Sequence, residues 1–281
     1  MSILILVFML VLAIFNVKYL STTYTKVPKV SCNNDNNIWN VYRTYRSRFI
    51  EQKMYEKCHK KWLDINHSIK MEWYDDYDCD RFMKKMGERI WNAYQILDVG
   101  AFKADFFRLC ILYENGGVYV DAHTTPYTSL QEITKGCIRD QEHTFISVLD
   151  SSLSGEGIHN GFIICSPKHP FLKKCIERII KNIENRDYTD GSLSVTGPKC
   201  LAYSINEVLH RDKDEKFNLG WNEHGNLSFY LYRFQWGPFQ YILKDNDVIL
   251  SKKYCTVAYV IDKLKPSAYH KKWHNKSIYK K

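Results

Sequence analysis

Residues 101–126 read AFKADFFRLCILYENGGVYVDAHTTP, and this stretch decides the fold. Good helix formers run without proline through Tyr113, and the glycine pair at 116–117 favours a left-handed helix end. The β-prone residues 118–120 then predict a short strand. The stretch therefore predicts a helix followed by a strand that delivers Asp121 at its end.

The polar residues Asp121 and His123, which follow this strand, suggest a metal site. Strand alternation points residues i and i+2 to the same side, so we expect Asp121 and His123 to converge on one ion. A carboxylate with an imidazole suits a hard divalent cation, manganese in preference to magnesium. Upstream, Asp105 and Arg108 share a helix face. The plain alternatives are a surface ion pair at Asp105 and Arg108, and a turn followed by an ordinary histidine.

The order of these motifs resembles the sugar-binding region of DXD glycosyltransferases of the family 32 type. That group includes yeast-like α-mannosyltransferases and capsular or toxin glycosyltransferases. The family pattern A-D-x-x-R, L-Y, G-G-x-Y-x-D-x-D is matched at 104–108, 112–113 and 116–123. His123 stands where the family has an aspartate, which bears on metal affinity and activity. Polypeptide GalNAc-transferases, which share the broader fold, use an Asp-x-His metal motif.

The resemblance implies a fold and a site. The fold would be α/β, a single GT-A-like (Rossmann-like) nucleotide-sugar-binding domain after an N-terminal membrane anchor. The implied donor-binding residues are Tyr45, Asp105, Arg108, Tyr119, Asp121, Asn160 and Gly197, and the implied metal ligands are Asp121, His123 and His274. His270 is the alternative to His274, a capping or turn role is the alternative for Asn160, and core packing is the alternative for Tyr45.

The activity implied by the resemblance is metal-dependent, retaining transfer of a sugar from a UDP- or GDP-sugar to a hydroxyl of a glycan, glycoprotein or glycolipid. An aromatic ring at Tyr45 would stack on the nucleotide base. An amide at Asn160 can both donate to and accept from hydroxyls. No residue is predicted as a nucleophile.

The amino terminus predicts attachment to a membrane. Residues 2–15, SILILVFMLVLAIF, carry no charge, and counting to Leu20 nearly reaches the length of a spanning helix. The predicted organisation is a signal anchor at 1–20, a stem at 21–37 and a glycosyltransferase domain at 38–281. This makes the chain a single-pass membrane protein, of the secretory pathway or Golgi if it is cellular. Two signals for the orientation of the domain disagree. The lysines after the anchor argue against a lumenal domain, whereas three Asn-x-Ser sequons, beginning at Asn66, Asn226 and Asn275, argue for one.

Composition limits the remaining classes. With 281 residues, 45% hydrophobic and 15% aromatic, the chain is long and apolar enough for one well-filled domain and unlike a disordered protein. Nine cysteines without a CxxC pair exclude a zinc-finger pattern. The net charge of +9 is concentrated in a lysine-rich tail after Asp262. Without regular aromatic interleaving, this charge does not predict a nucleic-acid partner.

Alternating strands and helices are predicted around the central stretch. The predicted strands are 38–45, 67–74 and 144–149, with another beginning near Asn160, and the predicted helices are 51–61, 80–93, 171–183 and 199–209. Residues 217–261 are rich in aromatics and carry no readable pattern. Two alternatives to the enzyme remain, a catalytically inactive carbohydrate- or nucleotide-sugar-binding relative and, on charge alone, a nucleic-acid-binding protein.

Overall fold

The computed structural model describes residues 23–32, 39–150, 157–235, 240–252 and 268–280. The anchor predicted at 1–20 lies outside these residues. Within them, no helix combines the length and the apolar character needed to cross a bilayer.

Thirteen strands are present in the described parts of the chain. In order they are β1 (Tyr24–Lys26), β2 (Val30–Cys32), β3 (Trp39–Thr44), β4 (Phe49–Glu51), β5 (Ile69–Tyr74), β6 (Gly117–Val120), β7 (Thr124–Pro126), β8 (Phe145–Asp150), β9 (Gly157–Cys165), β10 (Gly220–His224), β11 (Leu227–Gln235), β12 (Gln240–Lys244) and β13 (Asp247–Lys252).

The helices lie mostly between these strands. They are α1 (Gln52–Met54), continued by a π-helical turn (Tyr55–Lys60) into α2 (Lys61–Ile65), then α3 (Asp76–Lys85), α4 (Glu88–Ile96), α5 (Gly100–Asn115), α6 (Leu130–Thr134), α7 (Pro170–Glu184), α8 (Ser192–Val195), α9 (Pro198–Val208) and α10 (Ala268–His274).

One mixed sheet organises the molecule, in the order β2-β5-β3-β6-β9-β8-β11-β12-β13-β7, with β10 paired to β11. The pairs β5–β3, β3–β6 and β8–β11 are parallel, whereas β9 runs antiparallel to both β6 and β8. The strands β3, β5 and β6 therefore end at one edge of the sheet. This edge carries the polar residues predicted as the site.

The sheet is covered on both faces, which gives an α/β architecture. Tyr119 and Ile163 face the larger core, which includes buried residues of α5, α7 and α9. Their strand neighbours Val118 and Ile164 face the other core with Trp62 of α2. The alternation follows from the pleat, since successive side chains of a strand point to opposite faces.

Part of the segment predicted as a stem is bound to the domain. β1 pairs with β4, and β2 pairs with β5 at the edge of the large sheet. Val27, between these strands, is fully buried with Ile50, Trp73 and Ala122 in a small third core. The ordered contacts of the domain thus reach back to Tyr24.

Element boundaries differ from the predictions where local signals are weak. The helix predicted at 51–61 runs from Gln52 to Ile65 but passes through the π-helical turn, and the helix predicted at 80–93 is two helices, α3 and α4. A positive φ of 106° at Gly87 separates them. The described part of the unreadable region 217–261 forms the antiparallel strands β10 to β13.

The three sequons differ in accessibility. Asn66 is buried, its side-chain nitrogen donates to the Trp62 carbonyl at 2.8 Å, and its side-chain oxygen accepts from the Leu130 N–H at 2.7 Å. Asn226 and Asn275 are exposed in turns. The folded domain leaves no room for a glycan on Asn66.

Candidate functional site

The predicted metal-binding step is a turn rather than the end of a strand. β6 stops at Val120, and the Thr124 N–H donates to the Asp121 carbonyl at 3.0 Å. The Asp121 N–H donates to the Gly161 carbonyl at 2.9 Å, which ties the turn to β9. Because Asp121–Thr124 is a turn, the argument from strand alternation does not apply to Asp121 and His123. The side chain of Asp121 is 27% exposed, and His123 is exposed.

Arg43 supports this turn from inside the protein. The residue is fully buried, and its guanidinium donates to the backbone carbonyls of Asp121 at 3.0 Å, Ala122 at 2.6 Å and Thr124 at 3.2 Å. It also donates to the Cys58 carbonyl in the π-helical turn. Burial lowers the pKa of Arg43 to about 10, so the group is still a cation at neutral pH. A buried cation therefore fixes the backbone that carries Asp121.

A second arginine links the turn to α5. Arg108 lies 3.3 Å from the Asp105 carboxylate and 3.4 Å from that of Asp121. Its guanidinium also stacks over the Tyr119 ring, 4.6 Å from the ring centroid. The i,i+3 pair predicted from the sequence thus joins a buried arginine to a half-buried aspartate beside the turn, with the Arg108 and Asp105 side chains 8% and 19% exposed.

Two further side chains complete this network. Arg108 donates to the carbonyl of Asn160 at 2.9 Å and to its side-chain oxygen at 3.3 Å, and the Asn160 amide nitrogen donates to Asp105 at 2.9 Å. The Thr196 hydroxyl donates to the other Asp105 oxygen at 3.0 Å. Asn160 is buried within β9, so the capping or turn alternative does not describe it.

The network shifts the ionisation of its members. Burial raises the pKa of Asp105 to about 6, against the opposing effect of Arg108, Thr196 and Asn160. Burial also disfavours the charge on Arg108, yet Tyr119, Asp121 and Asp105 together raise its pKa above the ordinary value. The arrangement holds a permanent cation between two carboxylates, one of which titrates near neutral pH.

Aromatic side chains line the outer side of the turn. The rings of Tyr45 and His123 meet edge to face with centroids 5.3 Å apart, and Tyr45 meets Trp73 in the same way at 6.3 Å. The Tyr45 N–H donates to the Tyr74 carbonyl at 3.1 Å, which sets the residue at the carboxyl ends of β3 and β5. Tyr45 is therefore beside the turn and partly exposed.

Tyr119 and Gly197 contribute indirectly. Tyr119 is buried beneath Arg108, so it supports the guanidinium rather than presenting its own hydroxyl at the surface. Gly197 precedes α9, and a Cβ at this position would lie 3.1 Å from the Leu193 carbonyl and 3.5 Å from the Asp105 carboxylate. A side chain there would crowd the network.

His274 is not brought to the turn as a third ligand. It is exposed on α10, whose Tyr269 stacks on Phe102 at 5.0 Å and whose Lys272 pairs with Asp98. In the parts of the chain that the structure describes, no three His, Cys, Asp or Glu side chains are grouped so that they could hold a metal. This holds for Asp121, His123 and His274 together.

The residues present fit a divalent cation as a partial ligand set. Asp121 offers a partly exposed carboxylate and His123 an exposed imidazole, both donors that manganese accepts. The remaining coordination positions would be open to oxygen atoms of a bound phosphate compound. Such an open site differs from a closed structural metal site, in which the protein supplies every ligand.

A cavity of about 360 Å³ opens between the end of β3 and the start of α5, two elements that also carry residues of the site. Thr44 and Ala104 line it and are sequence neighbours of Tyr45 and Asp105. Its charged lining includes Lys103, whose pKa burial lowers, and Asp76, whose pKa burial raises. Its volume falls in the range of small-molecule sites.

Two residues of the site were not predicted from the sequence. Arg43 had one available signal, a charged residue in the otherwise β-prone strand Trp39–Thr44. Thr196 directly precedes Gly197, but the expectation there concerned the glycine. A hydroxyl next to a glycine before a helix is too common to indicate a contact 91 residues away in sequence.

Part of the chain that forms this site is similar to a known family. Residues 49–141 match the model of the glycosyltransferase sugar-binding region containing a DXD motif. The matched segment includes Asp105, Arg108, Asp121 and His123. Over these residues the chain is therefore similar to the sugar-binding region of the DXD glycosyltransferases.

A curated relative is the initiation-specific alpha-1,6-mannosyltransferase of Candida albicans (strain SC5314 / ATCC MYA-2876). It is 31% identical over 99 residues, which cover 34% of this chain and 26% of the relative. The match thus spans about a quarter of that protein's length.

Similar solved structures include the PaToxG glycosyltransferase, 13% identical with a TM-score of 0.47, covering 70% of this chain and 76% of that one. Another is the UDP-bound glycosyltransferase domain from the YGT toxin, 17% identical with a TM-score of 0.28, covering 50% of this chain and 41% of that one.

Proposed function

We propose that this chain is a glycosyltransferase that moves a sugar from a UDP- or GDP-sugar to a hydroxyl of a glycan, glycoprotein or glycolipid. The observation that carries the proposal is the network in which the buried residues Arg108 and Asn160 hold the carboxylates of Asp105 and Asp121 at the carboxyl edge of the sheet. This edge is where ligands bind in open α/β sheets. The network also falls largely within the segment that matches the DXD glycosyltransferase region. The architecture proposed for residues 38–281 is GT-A-like.

Asp121 and His123 would hold a divalent cation, manganese in preference to magnesium, with the diphosphate of the donor completing its ligands. When bound, the metal supplies positive charge against the leaving nucleotide diphosphate. Arg43 keeps the Asp121 backbone in place, and Arg108 keeps the carboxylate oriented. The proposal thus assigns metal binding to a turn that Arg43 holds rigid, and orientation of the Asp121 carboxylate to the buried cation of Arg108.

The sugar-binding part of the site would be Asp105 with its neighbours. Its carboxylate, already held by Thr196 and Asn160, would accept hydrogen bonds from ribose or sugar hydroxyls. Tyr45 would stack on the nucleotide base, and the neighbouring cavity would hold part of the nucleoside. Positioning of this kind contributes to rate because the reacting groups are held in a productive orientation.

The stereochemical outcome proposed is retention at the anomeric carbon, which rests on the resemblance and not on a particular residue. No side chain is assigned as a nucleophile. The anomeric configuration of the product, read by nuclear magnetic resonance, tests this part separately from turnover. We also propose that residues 1–20 attach the chain to a membrane as a single-pass anchor.

The test uses the full chain in detergent with a panel of UDP- and GDP-sugars. We expect manganese-dependent release of UDP or GDP, abolished by chelation and by Asp121→Ala. Asp140→Ala is a matched control, since Asp140 is exposed and pairs with His143 away from the turn. Folded protein that releases no nucleotide from any donor would overturn the proposal.

A second candidate is a binding-only relative. Two observations favour it, His123 in place of the second aspartate and the lack of a three-ligand group among the described residues. This candidate predicts saturable nucleotide-sugar binding without turnover. His123→Asp would then tighten manganese binding, measured by titration calorimetry, and a gain of turnover in that variant would show that the histidine is what prevents catalysis.

A further inference from the structure

Two cavities lie at the edge of the sheet opposite the proposed transfer site and share one residue, Trp39. One, of about 370 Å³, is lined by residues at the starts of β3 and β6 and at the end of β9. The other, of about 430 Å³, is lined by residues at the start of β5 and along α6. Trp39 borders both, and we call the two cavities together the Trp39 groove. Its volume falls in the range of small-molecule sites.

The lining of this groove combines apolar side chains with uncharged polar ones. Amide and hydroxyl side chains make up about half of it, including Asn40, Gln141 and Thr144 on one side and Ser68, Gln131 and Thr134 on the other. No aspartate, glutamate, lysine or arginine lines either cavity within the described residues. Charged residues make up 25% of the chain, so their absence from this surface sets it apart. An anionic or cationic ligand would have no partner for its charge here.

Trp39 provides an aromatic surface at the centre of the groove. Part of the ring packs against the core around Val118 and Ile164, and the rest is exposed to the two cavities. The Trp39 N–H donates to the Ser68 carbonyl at 3.2 Å, so β3 is fixed at this point. A rigid indole beside amides and hydroxyls matches a pyranose, which offers C–H groups on its face and hydroxyls around its rim.

We propose that the Trp39 groove binds a neutral oligosaccharide. This site goes beyond the proposed transfer activity and does not depend on it. β3 is six residues long, which puts the groove about 20 Å from Tyr45 and the turn. The groove therefore holds a part of a glycan distant from any reacting hydroxyl, and it would retain the chain on a glycan-bearing surface.

The experiment measures binding of neutral trisaccharides, namely mannotriose, maltotriose and N-acetylchitotriose, to the full chain by calorimetry. The detergent must lack a sugar head group. We expect at least one trisaccharide to bind, and Trp39→Ala to weaken it about tenfold or more, as loss of an aromatic platform would. Asn40→Ala and Gln141→Ala change exposed side chains and should each weaken binding by about threefold.

The controls separate this site from the transfer site. Asp121→Ala should leave trisaccharide binding unchanged, whereas it abolishes turnover if the proposed function holds. A sulfated trisaccharide should bind no better than its neutral counterpart. The proposal is overturned if no trisaccharide binds, if only the sulfated one or an extended peptide binds, or if the affinity is the same in wild type, Asn40→Ala and Gln141→Ala. The last two variants keep the test valid should Trp39→Ala not fold.

Discussion

At the scale of single residues, Arg43 decides the geometry of the turn. It is a fully buried cation that donates to four backbone carbonyls, and it also lies 5.7 Å from the centre of the Trp73 ring. Its charge is dispersed over peptide dipoles rather than neutralised by a bonded carboxylate. Arg43 is thus a positioning residue that acts on Asp121 through the backbone.

We expect Arg43→Met to lower the free energy of unfolding by about 3 kcal/mol, because it leaves buried carbonyls without their donor. Arg43→Lys keeps the charge but fewer donors and should lose about half as much. Urea unfolding measures both. Arg81→Met, at an exposed arginine near Tyr77, is the matched control. A loss no larger for Arg43→Met than for Arg81→Met would show that the turn does not depend on Arg43.

Asp105 makes activity and stability respond to pH in opposite directions. Its folded pKa of about 6 lies above the ordinary 3.8, so the folded protein holds a proton that the unfolded protein loses. This contribution to stability is complete below the unfolded pKa and is lost as the pH rises through about 6. A carboxylate that accepts donor hydroxyls must be ionised, so turnover should fall as the pH drops below about 6.

The pH profile of kcat/KM, together with urea unfolding at about pH 5 and about pH 7, checks this prediction. The Asp105 carboxyl makes the wild-type free energy of unfolding differ between these two pH values. Asp105→Asn should lack this contribution. A wild-type kcat/KM that stays level across this interval would contradict the role given to Asp105.

The residues of the site were predictable to different degrees. Asp105, Arg108 and Asp121 stand in a spaced motif, so the sequence predicts them directly. Thr196 and Arg43 act on partners distant in sequence, and no spacing rule relates them to the motif. The same limitation applies to His274, because a third ligand from the far end of the chain depends on how α10 packs.

At the scale of elements, the glycine pair shapes the passage from α5 to β6. Gly117 has a φ of 97°, and a Cβ there would lie 2.6 Å from the Asn40 carbonyl of β3. The close approach of the two backbones permits the β3–β6 pairing next to the turn. Gly136 also has a positive φ, of 75°, but a Cβ at that position would meet no atom within 4 Å.

We expect Gly117→Ala to destabilise the protein more than Gly136→Ala. Both variants lose about 1–2 kcal/mol to a left-handed backbone, but only Gly117→Ala must also displace β3, at about 2 kcal/mol more. Urea unfolding of the two variants gives the comparison directly. Equal losses would show that the β3–β6 pair tolerates the methyl group.

Long periodic elements were predicted well, and turns were not. The helix expected through Tyr113 is α5, and the strand expected at 118–120 is β6. The use of strand alternation at Asp121 and His123 was wrong for a physical reason. The hydrogen bond from the Thr124 N–H to the Asp121 carbonyl, together with Arg43, closes the chain into a turn, whereas the residue pattern alone would continue the strand. Strands β10 to β13 were missed because their half-exposed positions mix aromatic and polar residues on both faces.

At the scale of the whole molecule, two buried histidines make stability depend on acidity. Burial lowers the pKa of His59 to about 3 and that of His169 to about 4, from an ordinary 6.5. Below about pH 6.5 the unfolded chain takes up protons that the folded protein does not, so stability falls as the pH decreases toward 4. At about 1.4 kcal/mol per pKa unit, each histidine accounts for about 3 kcal/mol or more.

His169→Asn should reduce the dependence of stability on pH, because an asparagine side chain does not titrate. The variant keeps the local fold, since asparagine can still accept from the Phe171 N–H as His169 does at 3.2 Å. His210→Asn, at an exposed histidine with a φ of 54°, is the matched control. Denaturant unfolding of both variants from about pH 4.5 to about pH 7 measures the change of stability with pH. Comparison with wild type removes the opposing effect of Asp105, which is common to all three proteins. Identical slopes would contradict a neutral buried His169.

The overall class was predictable, whereas the reach of the domain was not. Alternating helices and strands predict an α/β protein, and the described structure is one. The attachment of β1 and β2 was missed because three-residue strands carry too few side chains to show a period, and the Pro28 and Asn/Asp composition around them is typical of a linker.

The small core of Val27, Ile50, Trp73 and Ala122 has a mechanical consequence. Ala122 belongs to the turn that carries Asp121, and Val27 belongs to the chain that leads back toward the amino terminus. A pull on that end is therefore transmitted to the turn through packed side chains, one of which, Trp73, belongs to β5 of the large sheet. Trimming the chain past Val27 would remove part of the core that also contains Ala122, so the alignment of Asp121 would loosen while most of the domain stayed folded.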